Sequence, residues 1–159
     1  MMPLVPILMG SKSDQKHAHT IVAALEKFGV EAQIRVASAH KTPAYLLQVL
    51  LEYEADSRQK VYVTIAGRSN ALSGMVDAQV SSPVIACPPP SDAFGGADIF
   101  SSLRMPSGVA PAVILDPEGA ALFAAKIFAL TDPIIREKIA ALQKANSDRL
   151  LGDDAELNP

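Results

Sequence analysis

An α/β sandwich with helices on both faces of a central parallel sheet is the fold class this chain predicts, and three observations predict it. Apolar, β-branched runs of the type VPILM, IRVA and VYVTI read as buried parallel strands. A helical pattern follows each of them. Each run also ends in a short polar cluster: MGSKSD at Met9–Asp14, ASAHK at Ala37–Lys41 and AGRSN at Ala66–Asn70. In open α/β sheets ligands lie outside the carboxyl ends of the strands, so the three clusters should converge on one pocket.

The elements follow in order. The first strand covers Leu4–Met9, Gly10–Ser13 makes a turn, and Ser13 or Asp14 caps a helix through Phe28. Ile21, Leu25 and Phe28 share a face of that helix, and Gly29 stops it. A second strand is expected at Glu31–Val36. Thr42 then serves as N-cap and Pro43 as first residue of a helix to about Tyr53. Asp56–Lys60 is a polar turn before a third strand at Val61–Ala66 and a helix at Ala71–Val80. Pro83–Cys87 is a short fourth strand ended by three prolines, which cannot donate ladder hydrogen bonds.

Further on, Ala97–Leu103 is a candidate helix and Ala112–Leu115 a fifth strand. Asp116, Pro117 and Glu118 start an alanine-rich helix to about Leu130, with the acid near the positive helix end. Its small residues, Gly119–Ala125, permit close packing against a neighbour. Thr131–Asp132–Pro133 restarts a helix over about 133–150, and 152–159 reads as a frayed tail. The whole, 1–159, reads as a single domain of ordinary size.

Composition narrows the function. With 49% apolar and 19% charged residues the chain suits a compact soluble protein. Trp is absent, aromatics are 5%, and the net charge is −3, which argues against nucleic acid and anionic membrane as partners. An anionic ligand must therefore be held by local groups. Cys87 is the only cysteine, so no internal disulfide forms and a reducing, cytoplasmic compartment fits. The segment MMPLVPILMGSKSD lacks a basic n-region and reads as a strand, neither signal peptide nor membrane span.

The loops carry the chemistry. Gly10, Ser11 and Ser13 beside a helix start make a phosphate seat. Asp14 would repel phosphate and suits sugar hydroxyls instead; capping a helix is the plainer duty of Ser13 and Asp14. In the second loop Ser38 sits with Lys41, a point charge for an anion, and His40, a general acid/base candidate. The third loop, with Gly67, Arg68 and Ser69, lets backbone approach a ligand closely; a simple turn is its plain alternative. His17 and His19 lie two apart on a helix and cannot face one another, so no metal site is expected there. Cys87 reads as inert core, and Met9, Met75 and Met105 as packing. Local reasoning assigns no purpose to Pro106–Gly108 after Arg104, a candidate reach toward a neighbouring subunit.

Taken in series, GSKSD, SAHKTP, AGRSN, CPPP, SSLRMPSGV and PEGAALFAAKIFAL resemble the phosphoribosylaminoimidazole carboxylase family of purine biosynthesis, over roughly Ile7–Leu130. That resemblance implies a flavodoxin-like subunit in a homo-oligomer, a tetramer or more usually an octamer, with sites at subunit contacts. It implies no metal, biotin or ATP, and so no cofactor. One branch of the family moves a carboxylate within N5-carboxyaminoimidazole ribonucleotide, and its third loop typically reads AGGAAHLPGM. Here Ala71 stands in place of that branch's histidine, and Lys41 stands where it usually has arginine. Both features resemble the branch that carboxylates aminoimidazole ribonucleotide directly with carbon dioxide, to which the animal carboxylase domain is similar. By resemblance, Ser11, Asp14, Ser38 and Lys41 would hold the ribose phosphate, His40 would move a proton, and Gly67, Arg68 and Ser69 would border the ring and the carbon dioxide. A non-catalytic mononucleotide or flavin module is the alternative of another class; the lack of aromatics near the loops counts against flavin.

Overall fold

The computed structural model describes residues 1–158, which leaves Pro159 of the expected tail outside the described residues. Five strands, β1 (Leu4–Met9), β2 (Glu31–Val36), β3 (Tyr62–Ile65), β4 (Val84–Ala86) and β5 (Ala112–Val113), form one sheet in the order β2-β1-β3-β4-β5. Every pairing is parallel. This is the flavodoxin-like α/β fold expected from the sequence. The chain leaves β1 toward β2 on one side and later returns to β3 on the other, so a crevice opens at their carboxyl ends.

The three central strands, β1, β3 and β4, are buried on both faces because their residues alternate between two cores. The edge strand β2, expected to be buried, is only half-buried and ends on an exposed Val36, because one of its sides has no neighbouring strand. Val5, Ile7 and Met9 of β1 point to one face with Val63 and Ile65 of β3. There α1 (Gln15–Phe28), α5 (Pro117–Phe128) and α6 (Pro133–Leu157) supply Ile21, Leu25, Phe28, Phe128, Ile135 and Ile139. Leu4, Leu8 and Tyr62 point to the other face, where α2 (Pro43–Glu54) and α3 (Leu72–Asp77) supply Leu46, Val49, Leu50, Leu72 and Val76. Among the described residues no helix is long and apolar enough to cross a membrane.

The small residues of α5 do the expected work. Ala120, Ala121, Ala124 and Ala125 are all fully buried where α5 packs on α1. A larger side chain has no room there, and Ala124→Leu is expected to lower unfolding free energy by about 1–3 kcal/mol. Urea unfolding measures it; an unchanged midpoint would show that the helix pair is loosely packed.

Several helix ends differ from the sequence expectation. Asp14 stands at the N-cap of α1 but its side chain makes no cap bond. Ser11 instead accepts from the Ser13 amide and caps a 3-10 turn at Lys12–Asp14. Thr42 does not cap α2 either. Its hydroxyl turns back to the second loop, accepting from Ser38 N at 3.0 Å and donating to Ser38 O at 3.2 Å. Asp116 does cap α5, accepting from Gly119 N at 2.6 Å, and Asp132 caps α6 through Ile134 N and Ile135 N.

The expected helix at Ala97–Leu103 is a 3-10 segment, Ala93–Ile99, followed by the single turn of α4, Phe100–Leu103. Left-handed backbone at Phe94, Gly95 and Gly96 breaks it. The largest difference is at the C-terminus, where α6 continues to Leu157 and 152–157 is helical rather than frayed. Gly152 inside a helix costs only about 1 kcal/mol. One ion pair a turn apart, Arg149–Asp153 at 3.1 Å, spans Gly152 and joins the extension to the rest of the helix.

Candidate active site

The crevice at the β1/β3 switch is a cleft of about 700 Å³. All ten residues singled out from the sequence line it: Gly10, Ser11, Ser13 and Asp14 from the first loop, Ser38, His40 and Lys41 from the second, Gly67, Arg68 and Ser69 from the third. The loops are tied edge to edge by backbone bonds that continue the sheet ladder, Gly10 N to Ile65 O and Ala37 N to Met9 O, both 2.9 Å. Sequence reasoning missed one wall. Pro89, Pro90 and Ser91 also line the cleft. The signal was present, since the proline run ends a parallel strand at the same sheet edge as the other loops.

Each loop has its own local logic. In the first, the Ser13 hydroxyl and amide both converge on Ser11 Oγ, at 2.9 and 3.2 Å. The hydroxyl pair therefore sits at the amino end of the 3-10 turn and α1, where backbone N–H groups and the helix dipole favour an anion. Burial raises the Asp14 carboxyl above its ordinary pKa, against the opposing pull of the Ser13 hydrogen bond and the His17 charge. A carboxyl so placed suits a neutral hydroxyl partner better than a phosphate.

In the second loop Ser38 Oγ accepts from Lys41 N at 3.2 Å, and Thr42 closes the same turn from below. This coil leaves the His40 and Lys41 side chains exposed at the cleft, free of intramolecular hydrogen bonds among the described residues. The third loop is held in an uncommon shape. Arg68 has φ 57°, left-handed backbone that costs a non-glycine residue about 1–2 kcal/mol. Its amide donates to Asp98 Oδ2 at 3.2 Å and its carbonyl accepts from Ser101 Oγ at 2.8 Å. Gly67 on the same loop faces Pro89, and a smaller cavity of about 350 Å³ lies between this loop and the segment after β4.

The other two histidines stand apart from the cleft. His19 pairs with Gln15 at 3.2 Å on the surface of α1. His17 Nε2 lies 3.2 Å from Cys87 Sγ, and burial lowers its pKa. Cys87 is fully buried, and burial pushes its thiol up to about 12. At pH 8 the thiolate fraction is then roughly one part in ten thousand. Iodoacetamide at pH 8 is expected to leave Cys87 unmodified in the native protein and to label it fully after denaturation. Rapid native labelling would mean that β4 opens easily. Among the described residues no group of three or more His, Cys, Asp or Glu is arranged to hold a metal ion.

This arrangement has known counterparts. The family model described as AIR carboxylase matches residues 4–149. A phosphoribosylaminoimidazole carboxylase of Treponema denticola is 55% identical over 157 residues, covering 99% of both chains. The bifunctional phosphoribosylaminoimidazole carboxylase/phosphoribosylaminoimidazole succinocarboxamide synthetase of Mus musculus is 44% identical over 137 residues, 86% of this chain and 32% of that one. A crystal structure of Treponema denticola PurE superposes with a TM-score of 0.97 at 54% identity, over 99% of each chain. A family model that matches nearly the whole chain, identity at this level and a superposition over the full length lead to one conclusion: the chain belongs to the AIR carboxylase family, the phosphoribosylaminoimidazole carboxylases (PurE) of purine biosynthesis.

Proposed function

We propose that this protein carboxylates 5-aminoimidazole ribonucleotide at C4 directly with carbon dioxide, reversibly, forming 4-carboxy-5-aminoimidazole ribonucleotide. The observation that carries the reading is that the cleft holds a single imidazole among the described residues, that of His40. Position 71, where the mutase branch has a second histidine, is an exposed alanine at the start of α3. Moving a carboxylate between two atoms of one ribonucleotide needs proton handling at both. Direct carboxylation needs one proton removed.

The chemistry follows from that single base. The aminoimidazole is enamine-like, so the C4–C5 π pair attacks the carbon of carbon dioxide and a C–O π pair moves onto oxygen. The adduct carries hydrogen and carboxylate on C4. His40 takes the C4 proton, the C–H pair restores the aromatic ring, and the imidazolium passes its proton to water. Positioning supplies the rest, through Ser11, Ser38 and Lys41 on the phosphate, Asp14 on ribose hydroxyls, and Gly67, Arg68 and Ser69 around the ring and the new carboxylate. No step calls for a cofactor.

The working unit is proposed to be a cytoplasmic homo-oligomer. Tyr45, Leu47 and Leu51 on the outer side of α2, and Leu150 and Leu151 on α6, are exposed apolar residues that a second copy would cover.

The test is an ultraviolet absorbance assay of purified protein with aminoimidazole ribonucleotide, with carbon dioxide present or purged. Product is expected only when carbon dioxide is present, without any N-carboxylated ribonucleotide. Turnover of the N-carboxylated compound alone would assign the mutase activity instead. A coloured protein without turnover would assign the flavin module.

A further inference from the structure

Asn70 belongs to no role so far given, yet its buried side chain makes three hydrogen bonds beside the cleft. It is 5% exposed, and all polar atoms of its amide are engaged. Nδ2 donates to Ser73 Oγ at 2.7 Å and to Ser102 Oγ at 2.9 Å, while Oδ1 accepts from Ser73 N at 3.1 Å. Its backbone N–H donates to Ser101 Oγ at 2.9 Å. That same hydroxyl lies 2.8 Å from the Arg68 carbonyl. Beneath them Ser73 Oγ meets Thr64 Oγ1 at 2.7 Å, and the Thr64 hydroxyl reaches Ile85 O. Thr64, Ser73 and Ser102 are fully or almost fully buried.

The network joins three pieces of chain. Thr64 lies in β3, Ser73 in α3, and Ser101 and Ser102 in α4. Asn70 and Ser101 stand between them and fix both ends of the Arg68–Asn70 turn. One residue type fits the duty: a carboxylate at position 70 has an acceptor but no donors, and an aliphatic side chain has neither. A left-handed non-glycine residue persists only where its surroundings hold it, and the bonds at Asn70 and Ser101 flank Arg68. Gly67, Arg68 and Ser69 are the cleft-lining part of that turn.

We infer that Asn70, its side chain acting through Ser73 and Ser102, is a positioning residue that holds the third loop in the shape needed to seat carbon dioxide against C4. This rests on the carboxylase reading proposed above. The ribonucleotide phosphate is anchored on the first and second loops, which this network does not touch. Loosening the third loop should therefore separate the two substrates kinetically.

The experiment measures steady-state kinetics of the parent protein, Asn70→Asp and Ser102→Ala, with thermal unfolding of each. Asn70→Asp keeps the acceptor for Ser73 N and loses both donors; Ser102→Ala removes one bond and should fold in any case. The expected result is a KM for carbon dioxide raised about tenfold or more in Asn70→Asp and about threefold in Ser102→Ala, with the ribonucleotide KM within about twofold. Unchanged carbon dioxide KM in a folded Asn70→Asp overturns the inference, as does a parallel rise of both KM values. If Asn70→Asp fails to fold, Ser102→Ala decides by the same two criteria. If the parent protein turns over only N-carboxylated ribonucleotide, the carboxylase reading fails by itself. The clamp is then scored on that substrate: a tenfold loss of kcat at constant KM supports it, and parent-like kcat overturns it.

Discussion

His40→Asn is expected to lower the rate of carboxylation by about a hundred- to ten-thousandfold while ribonucleotide binding changes by less than about threefold. The side chain is exposed at the cleft, and asparagine keeps polarity and approximate size without a titratable nitrogen. Nothing in the fold depends on the ring, because the second loop is shaped by Ser38 and Thr42 bonds to neighbouring backbone. Loss of turnover would therefore report on proton transfer. General base catalysis by a positioned side chain contributes about 10²–10⁴ in rate, and among the described residues no second imidazole lines the cleft to take over. Stopped-flow or steady-state absorbance gives the rate, and calorimetric titration of the ribonucleotide gives the affinity. Turnover within about tenfold of the parent would remove His40 from the mechanism.

Lys41→Met is expected to act on the other kinetic constant. Methionine keeps much of the apolar stem and deletes the charge. A charge-assisted hydrogen bond contributes about 1.5–3 kcal/mol, so the ribonucleotide KM should rise about ten- to a hundredfold with kcat within about threefold. Because the site is open to solvent, the parent's ribonucleotide affinity should also fall with added salt, and the variant's should fall less. Ser38 couples to the same effect. Its hydroxyl accepts from Lys41 N, so Ser38→Ala is expected to move the lysine as well as to remove the phosphate contact proposed for it. The two substitutions should be less than additive when combined. A Lys41→Met variant that binds ribonucleotide as the parent does would place the phosphate elsewhere in the cleft.

Much of this site was legible because parallel strands announce their own ends. A strand buried on both faces is apolar throughout, so the first polar residues after it mark the carboxyl edge of the sheet. Met9 to Gly10 and Ile65 to Gly67 are such transitions, whereas the half-buried edge strand β2 mixes polar and apolar residues and its end was marked by the loop composition after Val36; the structure brings all three loops to one cleft. Strand and helix positions followed for the same reason, with Asp116 and Pro117 marking a helix start correctly.

What stayed hidden depends on contacts distant in sequence. Ser13 and Thr42 read as caps because their type and position fit, but the hydroxyls found partners in the loops instead. Asn70 looks like one more turn residue. Its partner Ser102 is thirty-two positions away, and only the folded chain brings them together. The stretch Ala93–Ile99 gives no helical or strand period, since left-handed residues interrupt it. The extension of α6 past Gly152 is exposed at every described residue, which leaves no hydrophobic pattern to read.

The central claim is that one imidazole reaches C4 of a ribonucleotide whose phosphate lies on the first two loops. Its most direct test is a crystal structure of the assembled protein with 4-carboxy-5-aminoimidazole ribonucleotide bound. The account predicts a His40 ring nitrogen within about 3.5 Å of C4 or its carboxylate, with the phosphate against Ser11, Ser38 and Lys41. A His40 ring beyond hydrogen-bonding reach of the base, in its own subunit and in every adjoining one, would contradict it.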